Sequence, residues 1–256
     1  MFNTSNREKG DNRVVMKLDD KELALQRNRV LTEIYELVDH LDVLSKHLKY
    51  VYSLKKGPGV FFRIKDMAYV LMPESANICS VAAIMHIDGL KSVIFKPLDN
   101  NSISYYESEE GKLEALNKFK EFIFRDMSVV LHELVHIDDE RKGIYRPDEK
   151  SVSNDPYKYY NHPAEIRAYT QQCLFIAQNE ICNAIRDGEI KSEEDLREFC
   201  EIYKEYKNIY TKAKEKNNFV YWKRSVFKDY LKNLDAVIDS MVYVLEKVNT
   251  QKNILL

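Results

Sequence analysis

Apolar residues recur at intervals of three and four near the start of the chain, and this spacing predicts a long amphipathic helix. The helix would begin at Asp19 or Asp20 and end at the breaker Gly57-Pro58-Gly59, so that residues 19–56 form an N-terminal helical unit. Its inward positions are Leu23, Leu25, Val30, Leu31, Ile34, Leu37, Val38, Leu41, Leu44 and Leu48. Residues 1–18 are polar and predict a flexible tail.

After residue 57 the pattern changes to short apolar runs that are rich in β-branched and aromatic residues, which favours strands. Two such runs follow closely, over residues 60–64 and 67–72. A further pair, over 81–87 and 90–95, flanks Asp88-Gly89, the dipeptide of a tight hairpin. The sequence therefore predicts a small, mostly antiparallel sheet.

The second half of the chain has helical periodicity. Ser192 and Asp195 resemble a capping box at the start of one helix. Polar residues over 100–111 predict a loop, and helices are expected over 112–124, 127–137, 163–186, 192–216 and 223–248. The predicted class is α+β, with a core over residues 57–187 and a C-terminal helical part over 188–256 packed on it.

One of these helices contains a candidate metal-binding motif. The residues His132-Glu133-Leu134-Val135-His136 have the form H-E-x-x-H and lie within an apolar run. Residues four apart on a helix lie about 40° apart around its axis and one turn along it, so both imidazoles can reach one ion. Glu133, on the next position round, can reach a water molecule beside that ion. The alternative is an amphipathic core helix whose histidines bond to the backbone.

A catalytic metal site needs a third protein ligand. A metzincin continuation is excluded, because Asp139 and Lys142 stand where that class has glycine and histidine. The remaining route is a glutamate from a later helix.

Such a helix is predicted downstream, where Pro163 suits the first helical position and Asn161 or His162 the cap. Glu165 then falls in the first turn, and the small Ala168 one turn further would allow a close approach to the H-E-x-x-H helix. Two imidazoles, one carboxylate and one open position form the ligand set of a catalytic zinc. The alternative is that Glu165 is an ordinary first-turn acid.

The pattern His132-Glu133-x-x-His136 followed by His162-Pro163-x-Glu165-x-x-Ala168-Tyr169 resembles the gluzincin-type zinc metallopeptidases, and among them the small zincin-like proteins of phages and bacteria. The resemblance covers about residues 120–180. It implies a zincin-like fold, Zn2+ held by His132, His136 and Glu165, and Glu133 as the general base of peptide-bond hydrolysis. The expected substrate is a protein or peptide, which in such proteins commonly adds as a strand to an exposed sheet edge.

The tetrahedral oxyanion of such a reaction also needs a hydrogen-bond donor from the protein. The nearby candidates are His162, Tyr159, Tyr160 and Tyr169. A tyrosine is favoured because its neutral phenol donates at pH 7. For any single one of these aromatic residues, simple packing is the alternative.

The chain departs from the gluzincin pattern at one position. Many gluzincins carry an aspartate four residues after the ligand glutamate, where it orients a histidine, and this chain has Tyr169 there. A carboxylate that orients a histidine would have to come from Asp138, from Asp139 or from elsewhere.

Composition and charge limit the partners. The 256 residues are 45% hydrophobic and 31% charged, with a net charge of −2, which argues against a general nucleic-acid role. No segment has the apolar length of a signal peptide or of a membrane span, so cytoplasmic synthesis is expected, with virion association left open. The four cysteines have no C-x-x-C spacing, so a cysteine zinc site is not expected.

Two functional hypotheses follow. The leading one is a zinc-dependent peptidase, and the alternative is a non-catalytic zincin-fold structural or interaction protein, for example a phage virion or assembly component. Residues 202–233 hold nine Lys or Arg against three Asp or Glu, interleaved with aromatic residues. Such a stretch can bind nucleic acid or an acidic partner, but a solvated helix face with its aromatic residues turned to the core explains the same composition and is favoured. The presence of Glu133 argues against a purely structural metal site, which has no need of a base.

Overall fold

The computed structural model describes residues 18–51, 59–76, 82–87, 90–101, 103–144, 162–204 and 223–254. Within these ranges the chain is α+β, with one small mixed sheet followed by a mostly helical second half. Residues 1–17 of the tail predicted over 1–18 lie outside them, as do Tyr159 and Tyr160. None of the helices in these ranges has the length and apolar character that crossing a bilayer requires.

The first helix, α1 (Asp20–Leu41), begins where the sequence predicts. The side chain of Asp19 caps it by accepting a hydrogen bond from the amide of Glu22 at 2.9 Å. Its buried residues include Leu23, Val30, Ile34, Leu37 and Leu41, which confirms most of the predicted inward face. The prediction is wrong at Leu25, which is exposed because it lies two residues, or about 200°, round the helix from Leu23.

The prediction that this helix continues to residue 56 is wrong. A 3-10 turn over Leu44–His47 follows it, and then strand β1 (Lys49–Val51). The reason is tertiary: β1 pairs with a later strand, and Leu48 is buried in the core without being helical. Apolar spacing alone could not distinguish this arrangement from three more helical turns.

In the part of the chain that the structure describes, the sheet has five strands in the order β1-β2-β3-β5-β4. Three of the pairings are antiparallel, and the predicted hairpin of β4 with β5 is confirmed, although residues 88 and 89 of its turn lie outside the described ranges. The central pairing, β3 with β5, is parallel because the chain passes first to the outer strand β4 and then returns. The strands after β1 are β2 (Gly59–Ile64), β3 (Met67–Pro73), β4 (Ala82–Ile87) and β5 (Leu90–Leu98).

Within the described ranges, six helices follow the sheet. The prediction of a loop over residues 100–111 is wrong in part, since a short helix forms there. Ser108 then caps the following helix, because its side chain accepts a hydrogen bond from the amide of Gly111. The capping box is confirmed, because Ser192 and Asp195 exchange side-chain and backbone hydrogen bonds. The helices are α2 (Ile103–Glu107), α3 (Glu109–Arg125), α4 (Met127–Arg141), α5 (Pro163–Asp187), α6 (Glu193–Lys204) and α7 (Lys223–Ile254).

The helices and the sheet bury two main hydrophobic cores. In the first, α1, α3 and α4 pack on one face of the sheet, around the contacting rings of Phe62, Tyr69, Phe95, Phe119 and Phe122. The second core joins the C-terminal half of α5 to α6 and α7. Helix α5 belongs to both cores, because its residues Ala168 and Phe175 pack in the first.

Candidate metal centre

Helix α4 presents the two histidines of the H-E-x-x-H motif to one place. Its apolar residues Val130, Leu131, Leu134 and Val135 are fully buried and fix the helix in the first core. The side chains of His132 and His136 are only 8% and 11% exposed, and their Nε2 atoms lie 3.2 Å apart. One turn of helix therefore aims both imidazoles at the same point, as its spacing predicts.

The first turn of α5 brings the predicted third ligand to that point. Pro163 occupies the first helical position, and His162 is the cap, with its Nδ1 accepting a hydrogen bond from the amide of Ala164 at 3.3 Å. The carboxylate of Glu165 is 9% exposed. Its oxygens lie 3.5 Å from the Nε2 atom of His132 and 3.4 Å from that of His136.

The three side chains fit a metal ion. Bonds of about 2.0–2.2 Å in a tetrahedral site separate the donor atoms by about 3.3–3.6 Å. The separations between the donor atoms here are 3.2, 3.4 and 3.5 Å. Moreover, Oε2 of Glu165 is buried and makes no hydrogen bond within the described part of the chain. His132, His136 and Glu165 therefore form a buried group that can hold a metal ion.

The two glutamates of the site have different electrostatic surroundings. Burial raises the pKa of Glu133 to about 7; His132 opposes this rise and the charge of Glu165 adds to it. For Glu165, burial by itself raises the pKa, but the contacts with His136 and His132 outweigh it and hold that pKa well below its usual range. Glu165 is therefore a carboxylate throughout the neutral range, as a metal ligand must be.

Tyr169, which stands where many gluzincins have an aspartate, packs against His132. The two ring centroids are 4.3 Å apart and the ring planes make an angle of 68°. The Nδ1 atoms of His132 and His136 are buried and make no hydrogen bond to any residue that the structure describes. At the position where many gluzincins have an orienting aspartate, this chain therefore places an aromatic ring against the first histidine.

Neither of the two predicted candidates, Asp138 and Asp139, orients a histidine in the described structure. Asp139 is fully buried and accepts hydrogen bonds from Arg167 and from Gln26 of α1. Asp138 accepts from Gln26 and also pairs with Arg29. Both carboxylates belong instead to a buried polar layer that joins α1, α4 and α5.

Sequence reasoning did not find this polar layer. One signal was available: Gln26 lies three residues after Leu23 and four before Val30, so it is a polar residue on the inward face of α1. Such a residue must find a buried hydrogen-bond partner. Its partners are more than a hundred positions away in sequence, so their identity could not be inferred from local spacing.

Comparison of the chain with protein-family models, with curated proteins and with solved structures found no match in any of the three. Function is therefore inferred from the motif and from the geometry of the residues around it. Of the predicted oxyanion donors, His162 and Tyr169 lie beside the group that can hold a metal ion. Tyr159 and Tyr160 are outside the described ranges.

Proposed function

We propose that this chain is a zinc-dependent peptidase of the gluzincin type, with a zincin-like core. The observation that carries the proposal is the convergence of His132, His136 and Glu165 at the donor spacing of a tetrahedral ion, with Glu133 on the same turn of α4. When bound, zinc supplies Lewis-acid chemistry that activates water and polarises the scissile carbonyl. Three protein ligands leave one position open, which is typical of catalytic zinc.

Glu133 acts as the general base in this proposal. It directly follows His132, so the same helical turn that holds both imidazoles also fixes the position of its carboxylate. The carboxylate takes a proton from the attacking water and later delivers it to the leaving amine.

His162 is the donor to the oxyanion that the geometry favours. Because its Nδ1 accepts the hydrogen bond from Ala164, the proton of the neutral ring is on Nε2. Burial lowers the pKa of His162, although the charge of Glu165 opposes this, so the ring is neutral at pH 7. A neutral N–H group at the first turn of the ligand helix can donate to a developing oxyanion. Tyr169 packs its ring on His132, which favours an orienting role for it.

The substrate is proposed to be an extended peptide segment. Strand β4 forms one edge of the described sheet and contacts α4, the helix that carries both histidines. A peptide added along β4 would receive main-chain hydrogen bonds from the sheet edge and would lie close to the metal centre.

The test is zinc content per purified chain, measured together with cleavage of a fluorogenic peptide library. We expect about one zinc in the wild-type protein and a clear loss in Glu165→Ala. The matched control is Glu180→Ala, which removes an exposed acid from the same helix and should keep the zinc. Zinc with no cleavage of any peptide or protein would favour the non-catalytic alternative. No zinc in the wild-type protein, even after zinc is supplied, would refute the metal centre.

A further inference from the structure

A buried ion pair joins the ligand helix α5 to α4, and its residue on α4 lies three positions after His136. The Nε and Nη2 atoms of Arg167 donate to one oxygen of Asp139, at 2.9 and 2.7 Å. The side chains are 6% and 0% exposed. The other oxygen of Asp139 accepts a hydrogen bond from Gln26 at 2.6 Å, so both oxygens of the carboxylate have donors.

The ion pair and Glu165 lie at opposite margins of the surface by which α5 meets α4. Successive residues are about 100° apart around a helix, so Ala168 and Ala164 lie about 60° and 100° to one side of Glu165, and Arg167 about 160° to that same side. Both alanines are fully buried between these margins. The residues of α4 that meet these margins, at positions i, i+4 and i+7, form one stripe: His132, His136 and Asp139. The two histidines contact Glu165 at one margin of α5, and Asp139 contacts Arg167 at the other.

We infer that Arg167 and Asp139 are positioning residues of the metal centre: their ion pair fixes the rotation of α5 about its own axis, and thereby the place of the Glu165 carboxylate. The inference rests on the proposed metal function of the His132, His136 and Glu165 group. The hydrogen bonds of Arg167 to Asp139, and of Gln26 to Asp139, join α5 and α1 to α4, and it is through these helices that the pair acts on the site.

The small size of the alanines is what makes the ion pair necessary. A methyl group protrudes little from a helix surface. The contact that Ala164 and Ala168 make with α4 therefore allows the two helices to approach closely, but it does little to oppose rotation or sliding of α5 against α4. Two donated hydrogen bonds to a single buried oxygen are directional, and they do oppose it. Gln26 of α1 donates to the same carboxylate, so Asp139 is held in place independently of α5.

The experiment is a titration of the purified 256-residue chain with Co2+. Binding is monitored by the visible absorption of the bound ion, which reports its coordination geometry. Arg167→Lys keeps the charge and loses the planar donor pair. Removal of only one partner would leave an unpaired buried charge and destabilise the fold. The second variant is therefore the double replacement of Arg167→Met and Asp139→Leu. We expect both variants to fold, by far-ultraviolet circular dichroism, but to bind Co2+ about 10–100-fold more weakly with an altered spectrum.

Two control variants separate positioning from general stability. Arg29→Ala breaks a half-exposed pair of α1 with Asp138 and leaves α5 untouched, and Ile123→Ala opens a cavity in α3. Both should keep the wild-type Co2+ affinity and spectrum. Wild-type affinity and spectrum in Arg167→Lys would overturn the inference, whether or not the double variant folds. Failure of the wild-type chain itself to bind Co2+ would instead refute the proposed metal centre.

Discussion

Glu133 is the residue whose replacement should separate metal binding from hydrolysis. Glu133→Gln keeps the size of the side chain and removes the base, while His132, His136 and Glu165 remain. We therefore expect the zinc content of the wild-type protein and a cleavage rate reduced about 10²–10⁴-fold. Zinc analysis and peptide cleavage measure the two effects, with Glu140→Gln on the same helix as the control. Cleavage at the wild-type rate in Glu133→Gln would contradict its role as the base.

His162 has two roles that can be tested apart. Asparagine caps helices about as well as any residue, so His162→Asn should keep the start of α5 while removing the imidazole. His162→Ala loses the cap as well, at about 1 kcal/mol of stability. If the imidazole donates to the oxyanion, both variants should lose about 10²–10³-fold in kcat, and only the alanine variant should melt at a lower temperature. An asparagine variant with the wild-type kcat would limit His162 to capping.

At the residue scale, the grouping of His132, His136 and Glu165 could be predicted because local spacing determines most of it. His132 and His136 share one helical turn, and Pro163 placed Glu165 in a first turn. The polar layer behind them could not be predicted, because Arg167 and Asp139 are 28 positions apart and look like ordinary surface charges in the sequence. Their burial results from the packing of three helices, which no local pattern contains.

At the scale of elements, the close approach of α4 and α5 depends on Ala168, which is fully buried between them. Ala168→Leu should force the helices apart, cost about 1–3 kcal/mol of stability and lower the zinc affinity. The control is the same change at Ala177, a buried position of α5 in the second core. It should cost similar stability and leave the zinc affinity unchanged. Urea unfolding and zinc titration measure both effects, and equal zinc losses in the two variants would contradict the expectation.

Sequence patterns were sufficient to predict the strands, but not how the strands pair or where α1 ends. The predicted strands over 60–64, 67–72, 81–87 and 90–95 all form, because runs of β-branched and aromatic residues between turns indicate strands locally. The end of α1 at Leu41 and the parallel pairing of β3 with β5 were not predictable in this way. Both depend on which strand meets which, and strand partners are chosen by contacts that are distant in sequence.

At the scale of the whole molecule, metal binding should be visible as stability. An ion that binds only the folded chain adds about 2.7 kcal/mol at a concentration 100 times its Kd. For a chain of this size each kcal/mol raises Tm by about 2–4 °C. We expect zinc to raise the Tm of the chelator-treated wild-type protein and to leave that of Glu165→Ala unchanged. A similar rise in Glu165→Ala would show that zinc binds elsewhere.

Because α5 carries the proposed metal ligand Glu165 in its first turn and part of the second core from Leu174 onward, its residue count is constrained as strictly as its composition. Deletion of one residue between Ala168 and Leu174 would turn everything downstream by about 100° and shorten the helix by about 1.5 Å. The apolar stripe of α5 would then face away from α6 and α7, or Glu165 would face away from the histidines. Conservative substitutions in this stretch are therefore tolerable where insertions and deletions are not.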